Sequence, residues 1–83
     1  MSAMTYILES DVEVQDQKGT IVCKDHVSAK GKYQTDSVAK FKLTWKAEQA
    51  MRSAHRGRVP VLTKPHFYCF DGRGTAELGK KEY

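Results

Sequence analysis

Apolar and polar residues alternate along the first part of the chain with the period of two that is typical of a half-buried β-strand. The apolar members fall on even positions: Tyr6, Leu8, Val12 and Val14. A second alternating stretch follows residues 16–19, where a four-residue loop built on a type I turn would hold Gly19 in the left-handed conformation. The pattern therefore predicts an antiparallel hairpin of residues 5–15 with residues 20–27.

One register of this hairpin brings apolar residues together on one face and opposite charges together on the other. It pairs Val14 with Ile21, Val12 with Cys23 and Leu8 with Val27 on the inner face, and Asp11 with Lys24 and Glu9 with His26 on the outer face. Because both faces agree, we expect this register.

The next part of the chain changes its pattern. Residues 28–37 are polar with no clear period and predict a loop. In residues 38–45 the alternating apolar residues are Phe41, Leu43 and Trp45. This alternation favours a third strand with these three side chains in the core, while the spacing of Val38, Phe41 and Trp45 leaves a helix as the alternative.

Residues 46–56 predict a short helix that follows this strand. Its apolar face consists of Ala47, Ala50, Met51 and Ala54, which recur at helical spacing. Thr44 is the expected cap at its start, and Gly57 is expected to end it.

Two short strands, residues 59–62 and 66–70, are predicted after the helix, separated by a Lys-Pro step. Pro60 has no N–H to donate, so it belongs at a strand start or on a sheet edge. Residues 71–74 predict a turn. The tail, residues 75–83, is expected either to form one helical turn or to stay mobile.

Together these elements predict a single α+β domain over residues 1–83. We expect a small, mostly antiparallel sheet of about five strands, with one helix between strands three and four. The same element order fits a partly open barrel like that of the oligonucleotide/oligosaccharide-binding (OB) fold, and a plain antiparallel sheet packed on one helix explains it equally well.

The composition indicates a soluble globular chain without a membrane segment. Of its 83 residues, 40% are hydrophobic and 29% are charged, and no apolar run exceeds four residues. Such short runs exclude a transmembrane helix and a secretory signal peptide. Two cysteines are too few for a disulfide framework, so we expect a cytoplasmic protein.

The net charge of +4 is unevenly distributed along the chain. Residues 1–17 contain four acidic residues and no Lys or Arg, whereas residues 18–64 contain eleven basic residues against three acidic ones. This asymmetry favours a basic face that meets a polyanion or an acidic partner surface. An ordinary solvated surface with clustered charges is the alternative.

Four residues of metal-binding type occur as two pairs with the same spacing: Cys23 with His26, and His66 with Cys69. Two thiolates and two imidazoles would suit tetrahedral zinc. However, residues three apart in a strand face opposite sides of the sheet, so neither pair would converge on one ion. We therefore expect no metal and no cofactor, with both cysteines reduced.

Motifs for catalysis are weaker still. Cys69 with a histidine would make a thiolate–imidazole pair, but no motif of an activated nucleophile surrounds it. Acidic residues along the first strand are typical of a solvated face. The turn at residues 71–74 lacks the length and flanking elements of a phosphate-binding loop. The sequence thus predicts a protein that is not an enzyme.

Basic residues interleaved with an aromatic residue are the better signal. Lysine and arginine neutralise phosphates, and exposed aromatic rings stack on unpaired bases. The predicted binding set is Lys24, Lys30, Lys32, Tyr33, Lys40, Lys42, Lys46, Arg52, Arg56 and Arg58. The sequence therefore predicts a small binding module for nucleic acid. The alternative is an accessory regulator or inhibitor, of the kind that phages and mobile elements encode, that docks on an acidic protein surface.

Overall fold

The central strand of the sheet, β1 (Met4–Gln15), has the regular alternation that the sequence predicted. The computed structural model describes residues 3–79. Within that range the elements follow in the order β1, β2 (Ile21–Tyr33), α1 (Asp36–Ala54), β3 (Val59–Phe70) and β4 (Thr75–Glu77). The paired strands are all antiparallel, and the sheet order is β2-β1-β3-β4. This is an α+β fold with the helix on one face of an open sheet.

The core lies between α1 and the sheet. The even-numbered side chains in the middle of β1 are buried beneath the helix: Tyr6, Leu8, Ser10, Val12 and Val14. On α1 the buried side chains recur every four residues: Ala39, Leu43, Ala47 and Met51. Two of these four are alanines, whose small side chains let the helix lie close to the sheet. The odd-numbered side chains of β1 lie on the opposite, open face of the sheet.

The predicted hairpin of β1 with β2 is confirmed as an antiparallel pair, but the predicted register is wrong by two residues. Val14 lies opposite Cys23, and Leu8 lies opposite Ala29. Gly19 has the expected left-handed conformation, with φ of 87°. Acidic and basic residues still meet on the open face, since Glu13 lies opposite Lys24 and Asp11 opposite His26.

The register differs because of the turn and a bulge beside it. The Asp16 carboxylate accepts hydrogen bonds from the N–H groups of Lys18 (2.9 Å) and Thr20 (3.0 Å). This arrangement makes Asp16 and Thr20 the closing pair, one residue beyond the predicted one. A shift in register between Val14 and Gln15 adds the second residue. The two shifts together keep the side chains of β2 beyond the bulge on their predicted faces.

Most of the predicted loop at residues 28–37 is strand. β2 runs to Tyr33, and α1 begins three residues later at Asp36. The stretch is polar because β2 is an edge strand and one of its faces is open to solvent, where Lys30 and Lys32 lie.

Residues 38–45 are helical, so the predicted third strand is wrong and its helical alternative is confirmed. The cap is Thr35, whose hydroxyl accepts a hydrogen bond from the N–H of Val38 at 3.3 Å. Asp36 lies in the first turn, where a carboxylate interacts favourably with the helix dipole.

α1 also contains residues 46–54 of the helix predicted at residues 46–56, and it ends two residues earlier than predicted, with His55 as its C-cap. Thr44 is therefore inside the helix, and Ala50 and Ala54, which were expected to face the core, are exposed. α1 has 19 residues. No helix in the described part of the chain is long and apolar enough to cross a membrane.

The two strands predicted after the helix are one continuous strand, β3. Lys64 has a positive φ of 54°, and the register against β1 shifts between Glu9 and Asp11. The Lys-Pro step is therefore a bulge and not a break. Pro60 is near the start of β3, as predicted. Residues 3–79 thus contain four strands instead of five, and the helix follows the second strand.

The sheet does not close into an OB-like barrel, because β2 and β4 each pair with one neighbour within residues 3–79. Residues 71–74 connect β3 to β4, with the N–H of Asp71 donating to the backbone oxygen of Gly74 (3.4 Å). The expected helical turn of the tail is wrong over residues 75–77, which form β4. Residues 80–83 of the predicted mobile tail lie outside the described residues.

Candidate nucleic-acid interface

The outer face of α1 carries large aromatic side chains that contact water. Phe41 is 72% exposed, Trp45 is 59% exposed and Val38 is 44% exposed. Spacings of three and four residues place them in one stripe along the helix, which we call the aromatic ridge. It lies on the side opposite the buried stripe that includes Ala39 and Leu43. Grouped exposed apolar side chains of this kind make the outer face of α1 a candidate interaction surface.

A groove of about 470 Å³ runs beside the aromatic ridge and reaches the end of β2. Its lining residues are Tyr33, Phe41, Lys42, Trp45 and Lys46. Three aromatic rings and two ammonium groups therefore share one concave surface. The Nζ of Lys46 donates a hydrogen bond to the backbone oxygen of Lys30 (3.0 Å), which holds this lysine against the edge strand.

A second groove, of about 420 Å³, lies on the other side of the ridge, towards β3. Its lining residues are Lys40, Phe41, Thr44, Trp45, Glu48 and Phe67. The Nζ of Lys40 lies 5.9 Å from the centroid of the Phe67 ring, within the range of a cation–π interaction. Each side of the aromatic ridge therefore carries lysine.

Tyr33 reaches the first groove because Gly31 leaves room for its ring. A Cβ at position 31 would lie 2.6, 2.7 and 2.8 Å from three side-chain atoms of Tyr33, which is closer than non-bonded atoms approach. The Tyr33 ring also lies 6.4 Å from the ring of Tyr6, centroid to centroid, at an angle of 46°. The position of Tyr33 therefore depends on a glycine and on a buried core residue.

Tyr6 also fixes the start of α1 to the sheet. Tyr6 is buried as a whole, and its hydroxyl donates a hydrogen bond to Oδ1 of Asp36 (2.7 Å), the first residue of the helix. This hydrogen bond, together with burial and the negative charge of Asp36, raises the pKa of Tyr6 well above its ordinary value. The aromatic ridge begins two residues later, so this contact positions it.

The predicted basic surface is divided between two faces of the molecule. Lys24, Lys30 and Lys32 lie on the open face of the sheet, opposite Glu13, Ile7 and Thr5 of β1. The lysines of the helix lie on the other side: Lys40, Lys42 and Lys46. The expected basic face is therefore not one surface, because a single surface that includes Lys24, Lys40 and Lys42 would need residues 38–45 to be a strand of the sheet.

The open face of the sheet mixes charges of both signs. His26 lies 3.4 Å from Asp11 and 4.0 Å from Glu9, measured between ring nitrogens and carboxylate oxygens. A cavity of about 640 Å³ on this side is lined by Asp11, Val12, Glu13, Lys24, Asp25, His26, Thr63 and Lys64. Phosphates entering that cavity would meet carboxylates as well as lysines, so it is a poorer anion site than the first groove of α1, whose charged lining residues are Lys42 and Lys46.

The three arginines of the predicted set lie at the C-terminal end of α1. Arg52 is in the last turn, seven residues after Trp45, so it extends the outer face of the helix. Arg56 and Arg58 are exposed in the connection from α1 to β3. Tyr33, Lys40, Lys42, Lys46 and Arg52 are thus the predicted residues that surround or extend the aromatic ridge.

The structure does not bring together the four residues of the zinc alternative. Cys23 and Cys69 lie on the helix side of the sheet, while His26 and His66 lie on the open face. His66 instead contacts Glu77 of β4. Residues 3–79 contain no group of three or more His, Cys, Asp or Glu side chains that would hold a metal ion.

Phe41 and Trp45 are the residues of this surface that sequence reasoning placed in the core. The signal that would have found them is the second helical stripe, Ala39, Leu43, Ala47 and Met51, at intervals of four residues. A helix with that inner stripe must turn Phe41 and Trp45 outward. The alternation of Phe41, Leu43 and Trp45 with polar residues favours a strand instead, because it treats all three as core residues.

The fold and this surface define a small α+β domain whose helix covers one face of an open antiparallel sheet and presents aromatic and basic side chains outward. No protein-family model matches the chain, and no curated protein or solved structure matches it. Its function must therefore be inferred from the geometry and charge of these residues.

Proposed function

We propose that this protein is a non-catalytic binding module that holds single-stranded nucleic acid against the outer face of α1. The observation that carries the proposal is the aromatic ridge, in which Phe41 and Trp45 are exposed between two grooves that each contain lysine. A cytoplasmic location belongs to the same proposal, and the free thiols of Cys23 and Cys69 support it.

Each part of the surface suits one part of a single strand. Unpaired bases stack on exposed aromatic side chains, and each such contact stabilises a complex by about 1–3 kcal/mol. Lysines beside the rings neutralise phosphates and release counterions. Bases of a duplex are already stacked on each other, so a projecting ridge of rings favours single strands over duplex.

The alternative is docking on an acidic surface of another protein. The spacing of Val38, Phe41 and Trp45 supports it, because anchors at i, i+3 and i+7 are those with which a helix enters a protein groove. The flanking lysines suit either partner, and nucleic acid is favoured because the exposed rings offer flat surfaces on which unpaired bases stack. Tyr33, from the separate strand β2, adds a third ring to the same surface.

Salt dependence of oligonucleotide binding tests the proposal. Fluorescence anisotropy of a labelled, mixed-sequence single-stranded oligonucleotide would report binding to the full chain. If Lys40, Lys42 and Lys46 each neutralise one phosphate, affinity falls roughly 20-fold between about 50 mM and about 200 mM salt. A duplex of the same sequence is expected to bind more weakly.

A matched pair of double variants locates the site. Lys42→Glu with Lys46→Glu changes the groove beside the ridge, and Lys24→Glu with Lys32→Glu makes the same change of charge on the open face of the sheet. We expect the first variant to lose binding and the second to retain most of it. Equal losses would mean that binding follows net charge alone. Absence of binding at low salt would overturn the proposal and leave docking on an acidic protein.

A further inference from the structure

Three side chains near the C-terminal end of α1 form a chain of contacts separate from the aromatic ridge. Cys23 and Asp25 lie two residues apart on β2, so both are on the helix side of the sheet. His55, the residue that caps α1, lies between them. Its Nδ1 is 4.0 Å from the Sγ of Cys23, and its Nε2 is 2.7 Å from Oδ2 of Asp25. The order is thiol, imidazole, carboxylate.

We infer that Cys23 is a nucleophilic thiol, with His55 as its general base and Asp25 as the residue that positions His55. The reaction partner is a small disulfide, with which Cys23 forms a mixed disulfide. This site is independent of the proposed nucleic-acid binding, because none of its three residues lines the grooves beside the ridge.

The carboxylate sets the orientation that the imidazole needs. In the tautomer of His55 that carries its proton on Nε2, Asp25 accepts the hydrogen bond from Nε2 and the lone pair of Nδ1 is directed at the Cys23 thiol. The hydrogen bond from His55, followed by one from the backbone N–H of His26 (2.7 Å), lowers the pKa of Asp25, so this acceptor stays ionised. The backbone N–H of His55 in turn donates to the oxygen of Met51 (2.9 Å), which fixes the histidine to the helix.

The reaction is a thiol–disulfide exchange. Nδ1 of His55 takes the proton of the Cys23 thiol as the sulfur attacks one sulfur of the small disulfide. A new S–S bond forms between Cys23 and that sulfur, and the original S–S bond breaks. The other half leaves as a thiolate and takes the proton from His55. Cys23 is oxidised, the small disulfide is reduced, and a second thiol reverses the step.

The other cysteine lacks this environment and serves as an internal reference. Cys69 is half-buried on β3, and its Sγ lies 3.3 Å from the Sδ of Met4. Cys23 is exposed, so a disulfide in solution reaches it. Modification by a disulfide is therefore expected to select Cys23.

The test is the rate at which oxidised glutathione modifies each cysteine at neutral pH, measured by mass spectrometry of the full chain and its peptides. We expect Cys23 to react on the order of 10-fold faster than the free thiol N-acetylcysteine, because a positioned base assists the attack. His55→Gln is expected to remove that advantage while leaving the rate at Cys69 unchanged.

Variants at Asp25 separate positioning from folding. Asp25→Asn is expected to slow Cys23 by a similar factor, and Asp25→Glu, which keeps the carboxylate, is expected to restore much of the rate. Equal rates for Cys23 in the wild type and in His55→Gln would overturn the inference. So would a wild-type Cys23 no faster than N-acetylcysteine, a comparison that needs no variant to fold.

Discussion

In an ordinary amphipathic helix the largest apolar side chains lie on the buried face, whereas in α1 the largest ones lie on the exposed face. The inner face buries two alanines, Ala39 and Ala47, with Leu43 and Met51, whereas the outer face leaves Phe41 and Trp45 in water. Aromatic side chains bury more area than any others, so burying them would contribute most to stability. The arrangement therefore stabilises the fold less than the same residues would if their places were exchanged.

The two faces differ in what they contact. The inner stripe allows the helix to lie close to β1, and under the proposed function the outer stripe offers its rings to single-stranded nucleic acid. Stability and binding should therefore respond to different residues of one helix.

Leu43→Ala tests the inner face. Leu43 is fully buried, and truncation of such a side chain leaves a cavity that costs about 3 kcal/mol. Trp45→Ala, on the outer face, should change the free energy of unfolding within about 0.5 kcal/mol. Urea unfolding of both variants measures the change in the free energy of unfolding. Equal destabilisation would show that the aromatic ridge is part of the core.

Trp45→Ala should weaken oligonucleotide binding even though it leaves the fold intact. Loss of one stacking ring is expected to cost about 1–3 kcal/mol, a roughly 5- to 150-fold loss of affinity. Val61→Ala is the control, since Val61 is an exposed apolar residue on the open face of the sheet. Anisotropy titrations that find the same affinity for both variants would remove the ridge from the interface.

Tyr6→Phe tests how the N-terminal end of α1 is held. Removing the hydroxyl leaves Asp36 without its hydrogen bond from the sheet, and the expected cost is about 1 kcal/mol at neutral pH. Because the native pKa of Tyr6 lies above its ordinary value of 10.0, wild-type stability from this group is complete below pH 10 and falls as pH rises towards the native pKa.

Thermal unfolding between neutral and alkaline pH checks this contribution. The wild type should lose its advantage over Tyr6→Phe as the pH rises. A difference between the two that stays constant with pH would contradict the role given to the Tyr6 hydroxyl.

Asp25→Asn tests the opposite end of the helix, where the expected effect on stability is the smallest. The pKa of Asp25 is lowered from its ordinary value of 3.8, first by the hydrogen bond from His55. Its contribution is therefore present above that value and is lost as pH falls through the native pKa. Acid unfolding curves of wild type and variant should converge at low pH. Curves that diverge at low pH would show that ionised Asp25 does not stabilise the fold through His55.

Much of the fold was predictable because local signals agreed with the final structure. The alternation in β1 was sufficient to predict that strand. Gly19 was sufficient to predict the hairpin turn, and residues 71–74 were sufficient to predict the connection after β3. The register was not predictable, because it depends on the hydrogen bonds of Asp16 and on a bulge. Either feature alone would have reversed the faces of β2, and only their combination preserves them.

The site was predictable in its charges but not in its shape. The lysines of α1 were identified from composition, yet Phe41 and Trp45 were assigned to the core on their hydrophobicity. A sequence pattern assumes that large apolar residues are buried, and that assumption fails for Phe41 and Trp45, which are exposed. The contacts of His55 with Cys23 and Asp25 were also not predictable, because His55 and Asp25 lie 30 residues apart in the sequence.

The most direct test uses Trp45 itself, since it is the only tryptophan in the sequence. Its emission should be quenched as a single-stranded oligonucleotide saturates the protein, and bound protein should be shielded from a small soluble quencher. Both changes should disappear in Lys42→Glu with Lys46→Glu. An oligonucleotide that binds, by anisotropy, without altering the emission or accessibility of Trp45 would show that the strand does not lie on the aromatic ridge.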